Sequence, residues 1–231
     1  MKYELQTTEW GRLYVVENTR AKRIVVRSCA EGLKVTVPCG IQQKELLQTL
    51  QKMEAQLTKL RDRSPILHID LSYQIQAPFF QLTVKEGVGS SFFLQQDGAK
   101  HLLVCPAQVD FSAATVQERL KRAVVEAMRV QAKLVLPTRL YQLAEKNGFT
   151  YQAVSINSSR GRWGSCTAAK KINLSLSLLL LPTHLIDYVL LHELVHLKEM
   201  NHGTRFWALL DQLTDGQSHR LRTELKQYHP L

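Results

Sequence analysis

His192 and His196 stand four residues apart, the spacing that brings two side chains onto one face of an α-helix. Two imidazoles so placed can hold one metal ion through their ring nitrogens. Glu193 follows the first histidine, beside such an ion but off the ligand line, where a general base for a bound water belongs. His202 comes six residues after His196, directly before Gly203, and could complete a three-ligand site with one open position. An open position is what separates catalytic zinc from structural zinc. Glu199 is the other candidate third ligand. It lies seven positions after His192, so an unbroken helix would keep it on the same face but about 10 Å along the axis, too far to share the ion. His202 lies beyond a break expected at Asn201 and Gly203 and can fold back, which favours it.

The chemistry implied is metal-assisted hydrolysis of a peptide or protein substrate. Zinc lowers the pKa of a bound water from ~15.7 towards ~7, and Glu193 would take the proton and deliver it to the leaving amine. Tyr188, Arg160, Arg162 and Arg205 are candidates for stabilising the oxyanion, although surface or packing roles are commoner for each. Cys166 could approach the metal as an inhibitory ligand; a buried structural cysteine is far commoner. The 0, +4, +10 histidine spacing is also that of the metzincins, but Glu199 stands where that clan carries glycine, which argues against membership.

These residues need elements to position them. Leu190, Leu191, Leu194, Val195 and Leu197 make the histidine-bearing stretch an apolar helix, suited to a site that excludes water. Thr183 is its expected N-cap, and Thr204–Leu213 reads as a further helix with Phe206 and Trp207 on its apolar side. A basic helix runs from about His219 to Tyr228. Strands are expected over Gln152–Asn157 and Ile172–Leu176. Between them lie Arg160, Gly161, Arg162, Trp163, Gly164, Ser165 and Cys166, a poor core segment that reads as a turn or strand edge beside a site. Upstream, Leu13–Glu17, Arg23–Arg27 and Leu33–Val37 read as strands, with Glu31-Gly32 as a hairpin turn, followed by an amphipathic helix from Gln42 to about Arg61. Phe80–Lys85, Ser91–Gln95 and His101–Cys105 repeat that order, with Asp97-Gly98 as the turn. A shift of 68 residues lays Ile24-Val25-Val26 on Phe92-Phe93-Leu94 and Pro38 on Pro106, a pattern-level sign of a duplicated β-β-β-helix unit. A long helix then carries Val116, Leu120, Val124, Ala127, Met128, Gln131 and Val135 in a stripe, and Pro137 is expected to kink or break it. The class expected is α+β: a β-rich N-terminal part, 1–110, and a small zincin-like catalytic part, 111–231, built round an active-site helix.

Composition bounds the function further. The chain has 231 residues, 45% hydrophobic and 22% charged, as in an ordinary globular protein. Residues 2–6 form no apolar leader core, and the longest apolar run, Leu178–Leu181, stops at Pro182, so neither a signal peptide nor a membrane span is expected. Cys29, Cys39, Cys105 and Cys166 form no C-x-x-C pair, which points to a reducing compartment and so to the cytoplasm. The net charge of +10 is uneven: residues 1–110 carry 14 Lys/Arg against 11 Asp/Glu, and residues 111–231 carry 16 against 9. A basic half could face nucleic acid, so a nucleic-acid-associated protein with a structural zinc, or a protease acting on nucleic-acid-bound proteins, is the alternative. Its cations are dispersed, however, which favours a solvated basic surface. Nothing in the composition specifies an oligomeric state.

The ordered set Arg162-Trp163-Gly164-Ser165-Cys166, Ile172-Asn173-Leu174, His192-Glu193-Leu194-Val195-His196, His202-Gly203 and Phe206-Trp207 resembles the YgjP-like metallopeptidase family, related to the SprT-like zinc proteases. Asn18 to Ile24 and Val35-Thr36-Val37-Pro38 resemble its opening segment, so the likeness extends from about residue 18 to 207, although residues 65–110 carry none of its motifs. The resemblance implies a zincin-like fold, zinc on His192, His196 and His202, and Glu193 as the catalytic residue. It also implies that Arg162, Trp163, Gly164 and Ser165 border the active-site cleft. SprT-like relatives act on proteins bound to DNA, which keeps the nucleic-acid alternative in view.

Overall fold

A computed structural model describes residues 2–7, 11–29, 32–54, 57, 68–159 and 161–230. Arg160, Glu31 and the segment 58–61, each given a role above, lie outside the described residues. The chain divides into two compact units, Met1–His68 and Ile69–Leu231. The expected division at 110/111 thus falls inside the second unit. Gln117, at the start of that unit's long helix, explains the difference. Its side chain bonds both main-chain groups of Ile69, accepting from the N–H at 3.0 Å and donating to the carbonyl at 2.8 Å, and also donates to the Phe111 carbonyl at 2.8 Å. The sheet's lead-in is therefore stitched to the helix that follows it.

In the first unit, β1 (Lys2–Thr7), β2 (Gly11–Glu17), β3 (Val25–Cys29) and β4 (Gly32–Val37) form a sheet of order β1-β2-β4-β3, followed by α1 (Gln43–Lys52). Alternate residues Leu13 and Val15 of β2 and Leu33, Val35 and Val37 of β4 point to one face. There they meet Leu46 and Leu50 of α1 and Leu57. The second unit begins with β5 (Gln74–Ala77), β6 (Phe80–Glu86), β7 (Phe93–Asp97) and β8 (Lys100–Cys105), in the order β5-β6-β8-β7.

The two sheets are copies in register, not only in order. Val25 pairs with Thr36 in the first and Phe93 with Val104 in the second, each partner shifted by 68. Leu13 lies opposite Leu33, and Leu82 opposite His101, both in parallel ladders. The turn after the last strand matches too. The Gly40 N–H donates to Glu17 Oε1 at 3.5 Å, and the Gln108 N–H to Glu86 Oε1 at 2.9 Å; both donors have positive φ, +80° and +60°. The repeat visible in the sequence has four strands per copy, where three were expected. β1 and β5 escaped notice; in β5 the polar Gln74 and Gln76 flank Ile75, leaving no apolar run to mark a strand.

The rest of the second unit builds the site. α2 (Ala114–Lys146) runs unbroken through Pro137, contrary to the expected kink or break. Lys133, whose carbonyl loses its donor, is exposed, so water can replace that bond, while Leu136 and Leu140 stay fully buried on either side of the proline. β9 (Ala153–Asn157), β10 (Gly164–Cys166) and β11 (Lys171–Ser175) form a sheet of order β10-β11-β9, which leaves β10 at an edge. A 3-10 turn, Leu176–Leu180, leads to α3 (Thr183–Val195), capped by Pro182 instead of Thr183. α4 (Thr204–Leu213) and α5 (Ser218–Leu225) complete the chain. No helix among the described residues is long and apolar enough to cross a membrane.

Candidate metal centre

α3 is apolar nearly all round, and Leu185, Ile186, Leu190, Leu194 and Val195 are fully buried, as a helix at the centre of a domain must be. α2 holds it in place. Arg139 grips Asp187 with both ends of its guanidinium, Nε to Oδ1 and Nη2 to Oδ2 (2.7 Å for the latter), with Arg139 26% and Asp187 29% exposed. At the other end α3 stops where the site begins: Val195 is its last residue and His196 its C-cap.

This early stop decides the ligand geometry. Leu197, Lys198 and Glu199 turn back, and the Glu199 carbonyl accepts from His196 Nδ1 at 3.1 Å. A carbonyl can only accept, so Nδ1 carries the proton and Nε2 is left free for a metal, the usual way a ligand imidazole is oriented. Glu199 therefore contributes its backbone, and its carboxylate is not among the clustered groups. The turn carries His202 back to the helix. One ligand nitrogen from each of His192, His196 and His202 lies within 4.8 Å of the others, and the Nε2 atoms of His192 and His202 are 3.0 Å apart. Ligands of one tetrahedral zinc stand about 3.3 Å apart, so little movement separates this arrangement from a closed site.

The cluster is backed by Phe206, fully buried in α4, whose ring centroid lies 4.8 Å from His192, 4.7 Å from His196 and 4.6 Å from His202. Trp207 Nε1 donates to the His202 carbonyl at 3.1 Å and pins the end of the turn. Burial, with the neighbouring histidines and Arg222 adding to it, pushes the ionisation of His192 down to about 3, so its ring is neutral and able to ligate at any physiological pH. His196 is lowered too, chiefly by burial.

Glu193, the next residue of α3 after His192, packs against β10. It is 4% exposed, and its Oε2 is buried without a hydrogen-bond partner. Burial raises its carboxyl to about 8, against the charge of Arg162, which lowers it. The strand edge lies directly over it. A Cβ at Gly164 would come 2.6 Å from Glu193 Oε1, so only glycine allows the backbone this close. Three imidazoles converging, one of them with its tautomer set by the Glu199 carbonyl, are a donor set that fits a borderline-soft dication such as zinc.

Of the expected cleft residues, Gly164 touches Glu193, while Arg162 and Trp163 line a pocket of about 340 Å³. Ser165 is half-buried in β10 opposite Asn173. Tyr188, one turn before His192, is 3% exposed with its ring 6.2 Å from that imidazole, and burial pushes its phenol up to about 12, so it remains a donor. Arg205 is exposed in the first turn of α4. The Cys166 thiol donates to the Thr167 carbonyl at 3.6 Å and takes no part in the histidine cluster. Sequence reasoning missed Phe206 as the floor of the cluster, treating it as one more apolar helix residue. It also missed Arg222, whose guanidinium lies over the Trp207 ring at 5.0 Å.

An α+β chain with β-sheets followed by helices, and three histidines converging beside a buried glutamate, has the makings of a metal-dependent hydrolase. The family model described as YgjP-like, metallopeptidase domain matches residues 22–228, and the chain belongs to that family of metallopeptidases. No curated protein matches it. Among solved structures, the metallopeptidase zymogen of Pyrococcus abyssi abylysin is similar at 20% identity and a TM-score of 0.37, over 40% of this chain and 93% of that one.

Proposed function

We propose that the protein is a zinc-dependent peptidase of zincin type, with zinc on His192, His196 and His202 and with Glu193 as the general base. The observation that carries this reading is the convergence of three ligand nitrogens within 4.8 Å, beside a buried carboxylate with a free oxygen. Bound there, zinc would acidify a water and polarise the scissile carbonyl. The chain's own groups do the rest. Glu193 accepts a proton from the attacking water and passes it to the leaving amine, its carboxyl raised towards neutrality by burial so that both transfers are feasible. Phe206 and the apolar face of α3 shield one side of the histidine cluster, while His202 stays exposed to incoming substrate. Tyr188, whose ring lies 6.2 Å from His192 and which keeps its proton, and Arg162, whose charge reaches Glu193, are the candidates for meeting developing negative charge. The free thiols of Cys39, Cys105 and Cys166 favour a reducing compartment such as the cytoplasm.

Metal analysis of the purified protein with a peptide-library cleavage assay tests the proposal. One zinc per chain and cleavage abolished in Glu193→Gln are expected. Zinc bound but hydrolysis unchanged in Glu193→Gln would refute the mechanism. The alternative, a nucleic-acid-associated module with structural zinc, rests on the basic 111–231 half and predicts DNA or RNA binding that weakens steeply with salt.

A further inference from the structure

The pocket that Arg162 and Trp163 line also holds two cations, Arg222 and Lys226, that the hydrolytic reading leaves unused. One wall comes from the segment leading into β10, with Arg162 and Trp163. The other comes from α5 and the residues after it, with Arg222, Leu225, Lys226 and Tyr228. Among the described residues no aspartate or glutamate lines it, and neither Arg162, Arg222 nor Lys226 forms an ion pair. Glu224 is engaged with His184 at 2.7 Å and Asp211 with the Ser218 N–H at 3.1 Å, while Glu193, which the charge of Arg162 reaches, is buried and does not line the pocket.

Three like charges around one concavity repel one another unless an anion joins them. The C-terminal end of α5 steadies Arg222 and Lys226 through its dipole. That does not account for Arg162, which arrives from a different element. Both walls also reach the metal face. Arg162 lies two residues before Gly164, whose backbone is pressed on Glu193. Arg222 rests on Trp207, which bonds the His202 carbonyl. An anion in this pocket is therefore held on the same side of the molecule as the reacting groups. Trp163, Leu225 and Tyr228 supply an apolar lining for a carbon stem, and about 340 Å³ has room for one or two side chains.

We propose that this pocket is a substrate subsite for a carboxylate, carried either by a glutamate or aspartate side chain of the peptide or by its C-terminus. The inference rests on the peptidase reading, and its test is a binding measurement so that the two can fail separately. Fluorescein-labelled octapeptides are made with a single Glu or Gln at each position in turn, each as free acid and as C-terminal amide. They are titrated by anisotropy into full-length, zinc-loaded Glu193→Gln protein. The expected result is at least tenfold tighter binding of one Glu peptide over its Gln partner, or of free acid over amide. That preference should shrink to within twofold in Arg222→Gln and Lys226→Gln backgrounds, both surface changes. A Glu preference that persists in the amides identifies a side-chain carboxylate; a preference only for free acids identifies the C-terminus. Equal binding of all peptides, or a preference untouched by both substitutions, would overturn the proposal. So would displacement of the Glu peptide by an oligo-dT octamer at lower concentration than by unlabelled Glu peptide. Should the unsubstituted protein cleave none of these peptides while the carboxylate preference stands, the peptidase reading falls and the subsite survives.

Discussion

Replacing Gly164 by alanine puts the closest contact of the site under direct strain. The new Cβ would lie 2.6 Å from Glu193 Oε1 and 2.8 Å from both Cδ and Cγ. Carbon atoms in ordinary contact stand about 3.5–4.0 Å apart, so the glutamate stem must retreat by roughly 0.7 Å or β10 must lift by as much. Glu193 is 4% exposed and its neighbours Leu190 and Leu194 are fully buried, so the side chain cannot swing into solvent. Overpacking of this kind costs about 1–3 kcal/mol of stability. A proton-transfer group displaced by most of an ångström loses about 10²-fold in rate. The three imidazoles are untouched, so zinc content should stay at the unsubstituted level while kcat/KM on any cleaved peptide falls about a hundredfold. Gly89→Ala, where a Cβ meets nothing within 4 Å, serves as the neutral control. A Gly164→Ala protein that keeps kcat/KM within threefold of the parent would show that the strand edge does not set the position of Glu193, and the reasoning would fail.

The Arg139–Asp187 clamp should be worth about 1–3 kcal/mol, between the values for exposed and buried pairs, because both partners are under a third exposed; urea denaturation of Asp187→Asn, Arg139→Gln and the double variant measures the coupling, and additive losses would mean no interaction. With chelator present, His192 and Glu193 pull the pH dependence of stability in opposite directions. The His192 ring takes its proton at 6.5 in the unfolded chain but only at about 3 when folded, so stability is lost as pH falls from 6.5 to 3. The Glu193 carboxyl releases its proton at 4.5 unfolded and about 8 folded, so stability is lost as pH rises through 4.5 to 8. The two together give a plateau between 4.5 and 6.5 with losses on the order of a few kcal/mol on either side; Glu193→Gln should remove the alkaline loss and leave the acid one, as calorimetry across pH would show. Gln108, exposed at φ +60° where the other repeat has Gly40, should gain about 1 kcal/mol on replacement by glycine, readable as a rise in the denaturation midpoint.

What could be read from the chain beforehand follows the range of the interactions involved. The His192–His196 pair and Glu193 are legible because helix periodicity alone fixes their relation. His202 needed one non-local fact, the end of α3 at Val195, which the polar tail Lys198 to Asn201 only hints at. The duplication was visible through the 68-residue shift, yet the outer strands β1 and β5 were not, since their pairing comes from the neighbouring strand and not from their own pattern. Pro137 misled because the local rule names the lost bond, while burial of Leu136 and Leu140 on both sides of it outweighs that loss. The cationic pocket lay beyond reach altogether: Arg162 and Arg222 are 60 positions apart in the chain, and only folding brings them to one concavity.

The bond from Trp207 to the His202 carbonyl has a thermodynamic consequence. Arg222 presses on the same indole, so the last imidazole and the cationic wall share a single mechanical support. An ion drawing His202 inwards would stiffen the indole, and an anion settling against Arg222 would do the same from the opposite face. Linkage then requires symmetry: whatever factor zinc adds to the affinity for an acidic peptide, that peptide must add to the affinity for zinc. Where that factor exceeds one, the protein holds its metal more tightly when the pocket is occupied than when it is empty.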